Sequence, residues 1–304
     1  MKTLHYLLIT ARPKQWIKNC IIFIPLFFSG KMFFPEKFLH VIKAIIIFCL
    51  LSSAVYLLND YKDRKKDKLH PNKKNRPLAS GKLKPEIAIG TYFILGIIAL
   101  ISAAVLSEYF FAICLTYFLL LSSYSLFFRD ILILDGMLVA MGFVLRVFAG
   151  ALVIAEPISS WIVLCTIATA LLIAFGRRRC EITILNHKAS SHRKTLNLYP
   201  EKFIDTIITS ATAFTLMSYT LFTFFNPIIQ TNETIITWLP NYWINPKWLM
   251  LTIPITMYGV FRYLYLIYEK ETASSPEEAI FGDYPLLASI AIWLGSIFLL
   301  IYIF

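Results

Sequence analysis

Long apolar runs fill most of this 304-residue chain and leave it few ways to fold. An α-helix needs about 20 apolar residues to cross the hydrocarbon core of a bilayer, which is about 30 Å thick. Runs of this length alternate with polar stretches along the whole sequence. They predict nine membrane-spanning helices, at residues 17–34, 38–58, 87–106, 109–128, 133–154, 158–176, 203–226, 247–268 and 284–304. The predicted fold class is therefore all-α, a polytopic membrane protein.

The charge pattern indicates how the chain is oriented. Its net charge is +11, and membrane proteins retain Lys and Arg on the cytoplasmic side, so the excess does not imply a nucleic-acid partner. With the amino terminus inside, the inner connections hold most of the Lys and Arg and the outer ones hold few. This predicts a multi-pass protein of the inner (plasma) membrane. Its long polar loops at about 59–86 and 177–202 would be cytoplasmic and would carry the active site.

Nothing in the sequence divides the chain. It contains no low-complexity tract or linker, so a single domain over residues 1–304 is the simplest assignment. The amino-terminal apolar stretch is short and broken by charged residues, unlike that of a cleavable signal peptide. Five scattered cysteines form no CxxC pair, so neither a disulfide framework nor a zinc site is expected. A monomer and a homo-oligomer both fit the sequence.

The loop after the second apolar run begins with NDYKDRKKD. Asp60, Asp63 and Asp67 are spaced by three and four residues, so a continuing helix would place them on one face. Stacked carboxylates repel one another, and Mg²⁺, which binds carboxylates and substrate phosphate together, would remove the repulsion. We predict that the three aspartates, with Asn59, bind Mg²⁺ and a substrate phosphate. Alternatively, Asp63 and Asp67 pair with neighbouring lysines on a hydrated helix end.

This motif resembles the NDxxDxxxD pattern of the UbiA-type intramembrane prenyltransferase superfamily. The resemblance implies nine transmembrane helices and a diphosphate bound through Mg²⁺ at the motif. Members that prenylate aromatic rings carry a second motif, DxxxD, in a later cytoplasmic loop. This chain has FGRRRCE there, with Arg177, Arg178 and Arg179. Because arginine binds phosphate oxygens bidentately, these three residues are predicted to contact an anionic substrate.

The wider pattern is similar to one branch, the decaprenyl-phosphate phosphoribosyltransferases. The similarity covers nearly the whole chain, in ARPKQWIKNCIIFIPLF, KKNRPLASG, YSLFFRDILILDGMLVAMGFVLRVFAGALVI, GRRRCE, FRYLYLIY and SPEEAIFGDYPLL. It implies transfer of 5-phosphoribosyl from phosphoribosyl diphosphate to a polyprenyl phosphate, with Asp60 and Asp63 as catalytic residues and Asp60, Asp63 and Asp67 as metal ligands. It also implies that the product becomes an arabinose donor for envelope glycans. The expected partners are these two substrates and membrane lipids.

Basic residues outside the two motifs are further candidates for phosphate contact. Arg76 follows the aspartates, and Pro77 and Gly81 favour a tight turn beside it. Lys14 and Lys18 lie where the first apolar run begins. Either anchoring by the positive-inside rule or phosphate contact accounts for these two lysines.

Three charged residues lie within or near later spans. Arg146 lies midway through the fifth span, where a charge costs at least ~2.5 kcal/mol, so it is expected to face the bundle interior. Bonds to helix carbonyls or to an acid, and substrate contact, are the alternatives for it. Asp135 lies on the same helix face but ~16 Å away, so it cannot pair with Arg146 and could join the donor site. Arg262 either extends to the interface or contacts phosphate.

Two other functions remain open from the sequence. A prenyltransferase of the same fold, acting on an aromatic or other small acceptor, would need a second aspartate pair where Arg177 to Arg179 stand. A transporter or channel would need polar residues through the membrane depth and an internal repeat. The sequence shows little of either feature.

Overall fold

The computed structural model describes residues 2–69, 73–185, 199–225, 247–269 and 281–303. Parts of the two predicted active-site loops, residues 70–72 and 186–198, lie outside this range. The α-helices are α1 (Lys2–Ala11), α2 (Ile24–Phe28), α3 (Pro35–Asp67), α4 (Pro85–Leu106), α5 (Glu108–Leu126), α6 (Leu134–Val153), α7 (Ser160–Leu185), α8 (Glu201–Phe225), α9 (Ile253–Tyr268) and α10 (Tyr284–Tyr302). The 3-10 helices are Pro13–Phe23, Lys73–Asn75, Phe128–Asp130 and Trp248–Thr252. No strand occurs in the described ranges, which confirms the all-α prediction.

Eight helices among the described residues are long and apolar enough to cross a membrane. They coincide with eight of the nine predicted spans. The first predicted span, 17–34, is instead the 3-10 helix Pro13–Phe23 followed by the short helix α2. A 3-10 helix rises about 2.0 Å per residue and an α-helix about 1.5 Å. This segment is therefore about 30 Å long, enough to cross the bilayer core without being one continuous α-helix.

This segment packs closely against α6. A Cβ atom at Gly150 of α6 would lie 2.1 Å from the carbonyl oxygen of Ile22. The backbone of the 3-10 helix therefore rests directly on α6 at that glycine. Ile22 and Leu26 are fully buried there.

The chain forms two compact units. The first is built on α1, the 3-10 helix Pro13–Phe23 and α3 to α6, and it includes Tyr199. The second is built on α7 to α10. The assignment of a single domain stays a prediction.

Helix α3 is the central helix of the first unit and packs against α4, α5 and α6. Pro35 begins it, at a position where the missing N–H costs nothing. Its 33 residues rise about 50 Å, whereas about 20 residues cross a bilayer core. Phe48 and Leu51 in its middle are fully buried. The polar end of α3 therefore extends past the apolar layer and carries the aspartate motif.

In the second unit, α7 packs along α8, and α9 packs against α7, α8 and α10. A Cβ atom at Gly176 would lie 2.6 Å from Cδ1 of Ile267, so the glycine lets α7 and α9 approach closely. Asp283 caps α10 by accepting a hydrogen bond from the Leu286 backbone N–H at 3.1 Å. It also binds Arg262 of α9, which ties α9 to the start of α10.

Candidate active site

The three aspartates of the motif lie on one face of α3, as their spacing predicts. The helix continues without a break to Asp67. Asp60, Asp63 and Asp67 are all buried, with exposed fractions of 2%, 9% and 5%. Three buried carboxylates so close together require compensating positive charge.

Three arginines from distant parts of the first unit supply that charge. Arg12 binds Asp60. Arg76 bridges two carboxylates through NH1, which lies 3.1 Å from Asp60 Oδ1 and 2.8 Å from Asp67 Oδ2.

Arg129 completes the set. It binds Asp63, and its NH1 donates to Asn59 Oδ1 at 3.2 Å. Among the described residues, Asp63 and Asp67 are therefore bound by arginines and not by lysines of their own helix, contrary to the alternative from sequence. Burial lowers the pKa of Arg129, but the hydrogen bond that Arg129 donates to Asp63 and the negative charge of Asp63 raise that pKa by more, so the guanidinium stays charged.

Local backbone geometry positions two of these arginines beside the aspartates. Arg12 joins α1 to the following 3-10 helix in the left-handed conformation, at φ 55° and ψ 62°, which is uncommon for a residue other than glycine. Arg76 lies in the predicted tight turn, where the Leu83 N–H donates to the Pro77 carbonyl at 3.0 Å. Gly81 has φ 77° there, so the turn that Pro77 and Gly81 predicted is confirmed.

The carboxylate face has the chemistry of a Mg²⁺ site. Oδ1 of Asp63 is buried and has no hydrogen-bond partner in the part of the chain that the structure describes. Carboxylate oxygens are ligands that Mg²⁺ takes in proteins. Oδ1 of Asp63 is therefore an oxygen to which a Mg²⁺ ion could bind. Within the described ranges, no three His, Cys, Asp or Glu side chains are grouped closely enough to hold a metal ion together. The aspartates contact arginines in this geometry, so their role as ligands stays a prediction.

A strained turn precedes Asp135. Ile133 has φ 67° and ψ −48°, and the Leu134 N–H donates to the Leu132 carbonyl at 2.8 Å. These values are close to those of a classic γ-turn, which is rare and strained. The Tyr199 hydroxyl accepts from the Ile133 N–H at 2.8 Å and donates to Asp135 Oδ1 at 2.7 Å. Tyr199 thus fixes both the turn and the fully buried Asp135.

Arg146 is bonded to neutral groups of the first unit. Its Nε donates to Asn19 Oδ1 at 2.8 Å, and its NH1 to the Gly142 carbonyl at 2.7 Å. Its NH2 donates to the Tyr117 hydroxyl at 2.7 Å. Arg146 is only 5% exposed. These contacts support the structural alternative for Arg146, and substrate contact by it stays a prediction.

The two amino-terminal lysines differ in their surroundings. Lys14 is exposed. Lys18 donates to Gln15 Oε1 at 3.2 Å. The neighbouring Trp16 is tied to α3, since its Nε1 donates to Ser53 Oγ at 3.0 Å. Neither lysine contacts the aspartates among the described residues, and phosphate contact by them stays a prediction.

In the second unit, the three consecutive arginines are paired with three carboxylates. Arg177 and Arg178 both bind Glu181, at 3.2 and 2.6 Å. Arg179 binds Asp205 at 2.9 Å and approaches Glu201 at 3.6 Å. Sequence reasoning treated the arginines as positive charge available to a ligand, whereas this geometry balances much of that charge locally.

The arginines of the second unit differ in how far their side chains are exposed to solvent. The side chain of Arg177 is 37% exposed, whereas those of Arg178 and Arg179 are 6% and 15% exposed. Arg177 is therefore the best placed of the three to contact a ligand. Arg262 forms a bidentate pair with Asp283, at 2.9 Å through both Nε and NH2. Phosphate contact by any of these four residues stays a prediction.

Sequence reasoning overlooked Arg12, Arg129 and Tyr199 as site residues. Arg12 and Arg129 lie in segments that carried the family resemblance, but nothing in their spacing linked them to the aspartates. A usable signal existed, because three carboxylates at the end of an apolar helix need about as many cations. Tyr199 gave no signal, since its partner turn lies over sixty residues earlier.

Comparisons with known proteins identify the family of this chain. The model of the UbiA prenyltransferase family matches residues 20–283. The decaprenyl-phosphate phosphoribosyltransferase of Mycolicibacterium smegmatis is 27% identical over 297 residues, covering 96% of this chain and 91% of that protein. That of Corynebacterium glutamicum is 27% identical over 296 residues, covering 96% and 85%.

Solved structures share the fold. A UbiA homolog from Archaeoglobus fulgidus bound to GPP and Mg2+ has a TM-score of 0.68 at 17% identity. The match covers 97% of this chain and 99% of that one. Family pattern, relatives and fold lead to the same conclusion: this multi-pass membrane protein is an enzyme of the UbiA prenyltransferase family.

Proposed function

We propose that this enzyme transfers 5-phosphoribosyl from phosphoribosyl diphosphate to a polyprenyl phosphate, giving polyprenyl phosphoribose and diphosphate. The observation that carries the proposal is the site's mixed charge, in which three buried aspartates are interleaved with Arg12, Arg76 and Arg129. The donor and acceptor together bring three phosphate-bearing groups, which an acidic site alone would repel. The names of the curated relatives support the same reaction.

The aspartates and arginines have separate roles in this proposal. Asp60, Asp63 and Asp67 would hold Mg²⁺, whose chemistry is to neutralise negative charge on the departing diphosphate. Arg12 and Arg76 keep the carboxylates compensated before the donor arrives. Because Arg76 contacts two carboxylates at once, a small rotation of its planar fork would let it bind phosphate oxygens as well.

The chemical step needs no strong general base. An oxygen of the acceptor phosphate, already an anion at neutral pH, forms a bond to ribose C1. The bond from C1 to the diphosphate oxygen breaks, and the diphosphate leaves with the electron pair. By analogy with glycosidic chemistry the transition state is oxocarbenium-like, so positive guanidinium groups serve best near the leaving oxygens. An in-line displacement would invert the configuration at C1.

The cellular setting follows from the charge pattern and the family. We place the enzyme in the inner (plasma) membrane with its amino terminus and active site in the cytoplasm, where a soluble diphosphate sugar is available. The positive-inside distribution supports this orientation. The polyprenyl phosphoribose would then be converted to an arabinose donor for envelope glycans. A homo-oligomer remains compatible with this proposal.

Labelled donor tests the proposed reaction directly. Purified enzyme is mixed with phosphoribosyl diphosphate labelled in the ribose, Mg²⁺ and a polyprenyl phosphate, and the lipid phase is extracted. Label is expected in the lipid phase only when all three are present. A parallel reaction offers a prenyl diphosphate and an aromatic acid. Prenylation of the acid without any transfer of ribose label would contradict the proposal and assign the enzyme to the aromatic prenyltransferases.

A further inference from the structure

A small cavity opens on the flank of α3 beside the aspartate face. Its volume is about 50 Å³, which exceeds the ~10–15 Å³ that one water molecule requires, so a group larger than a single water can enter. The polar side chains that line it include Lys62, Asp63, Lys66, Arg129 and Asp130. The walls come from the end of α3 and from the 3-10 helix Phe128–Asp130 with the residues before it.

The cavity carries more positive than negative charge. Three of its side chains are cations and two are carboxylates. Asp63 is bound by Arg129, whereas Lys66 lies 3.8 Å from Asp130 in a pair about half exposed to solvent. Such an exposed pair is worth little and can open easily. Lys62 makes no ion pair within the described ranges. Its positive charge is therefore available to an anion that enters the cavity.

The cavity adjoins the aspartate face. Lys62 precedes Asp63 by one residue and Lys66 follows it by three, so all three lie within about one helical turn, ~6 Å along the axis. Arg129 lines the cavity and also binds Asp63. One small molecule could therefore reach both places.

Phosphoribosyl diphosphate carries two phosphate groups of different kinds. The diphosphate at C1 leaves as a metal complex, which suits carboxylates. The phosphate on C5 stays with the ribose and has no metal to neutralise it, so it suits lysine and arginine. The acidic face and the basic cavity match these two groups in the sign of their charge.

We propose that this cavity is the subsite for the 5-phosphate of the donor, with Lys62, Lys66 and Arg129 as its cations. The inference rests on the proposed phosphoribosyl transfer and adds the element that selects the donor. A prenyl diphosphate has no second phosphate group and gains nothing from this cavity. The subsite therefore favours a phosphorylated sugar over an isoprenoid donor at the same aspartate motif.

Two lysine substitutions test the subsite. The variant carries Lys62→Gln and Lys66→Gln together, and the control carries Lys65→Gln, a charge change on the same exposed helix end outside the cavity. Two ligands are titrated separately: ribose 5-phosphate, which has only the 5-phosphate, and diphosphate with Mg²⁺. Because hydrogen bonds to charged groups are stronger than neutral ones, each lysine should contribute roughly tenfold to binding of the phosphate.

The double variant should therefore bind ribose 5-phosphate about 100-fold more weakly than wild type. Its affinity for diphosphate should change by less than about threefold, and its KM for phosphoribosyl diphosphate should rise with kcat little changed. The Lys65→Gln control should match wild type for both ligands. Equal affinity for ribose 5-phosphate in the double variant and the control, or no binding by wild type, would overturn the subsite.

The outcome separates this inference from the proposed function. If the subsite is wrong and the proposed function is right, wild type still transfers ribose label to lipid, and the double variant binds ribose 5-phosphate as tightly as wild type does. Failure of the proposed function appears as absence of ribose transfer by wild type, whatever the lysines do. That second result would also overturn the subsite, since no donor would then present a 5-phosphate.

Discussion

Replacing Arg129 by methionine should destabilise the protein and, at the same time, increase its stabilisation by divalent cations. In the structure Arg129 binds Asp63, and their side chains are only 8% and 12% exposed. Removing one partner of a buried ion pair costs about 3–5 kcal/mol, because the other charge stays buried without compensation. Because the low exposure leaves little solvent screening, we expect Arg129→Met to lower the free energy of unfolding by about 3 kcal/mol.

The matched control is Arg64→Met. Arg64 lies on the same helix end, but its polar partners within the described residues are the Tyr61 carbonyl, at 2.9 Å, and the Tyr61 ring. Its loss should cost about 0.5 kcal/mol. Unfolding of both variants in detergent is followed first with EDTA and then with Mg²⁺.

The difference in unfolding free energy between the two variants, called the gap below, should depend on whether EDTA or Mg²⁺ is present. With EDTA, Arg129→Met should be clearly less stable than Arg64→Met. With Mg²⁺ the gap should shrink, because a cation beside Asp63 replaces the lost guanidinium. Equal stability of the two variants in EDTA would refute the assignment of Arg129 as the compensating charge. A gap that Mg²⁺ leaves unchanged would refute the placement of the cation at Asp63.

Four further substitutions test other parts of the account. Asp60→Asn should lower the transfer rate roughly 100-fold or more in initial-rate assays, with an unchanged circular dichroism spectrum. Arg146→Met should cost about 1–3 kcal/mol by leaving buried partners unbonded but should leave the donor KM unchanged, and a large rise in KM would restore its substrate role. Tyr199→Phe should lower the unfolding temperature, and adding Ile133→Gly, which accepts the positive φ, should recover part of the loss. Gly150→Ala should sharply reduce the yield of monodisperse protein, because its Cβ would lie 2.1 Å from a backbone oxygen.

The sequence predicted the helices well because their apolar length alone specifies them. Within the described residues, eight helices long and apolar enough to span a membrane lie where the runs lie, and α3 continues to Asp67 as the aspartate spacing predicted. Apolar length did not predict the 3-10 form of Pro13–Phe23. Nor could it predict the close contact of this segment with α6, which joins Ile22 and Gly150, over a hundred residues apart. Periodicity reports which residues face inward but not how closely two backbones approach.

The acidic residues of the site could be predicted from the sequence, whereas the basic residues that bind them were harder to predict. The aspartates lie within nine residues, and local spacing fixes their common face. Their partners Arg12 and Arg129 come from other segments, and only tertiary folding brings them to α3. The same limit applies to Arg177 to Arg179, because pairing of Arg179 with Asp205 depends on how α7 packs along α8.

Phosphoribosyl transfer is tested most directly by following two labels in one donor. Phosphoribosyl diphosphate is prepared with one phosphorus label at the 5-phosphate and another in the diphosphate, and it is incubated with the enzyme, Mg²⁺ and a polyprenyl phosphate. The 5-phosphate label is expected to enter the lipid phase while the diphosphate label stays in water, in equal molar amounts. Diphosphate label in the lipid, or no 5-phosphate label there, would contradict phosphoribosyl transfer.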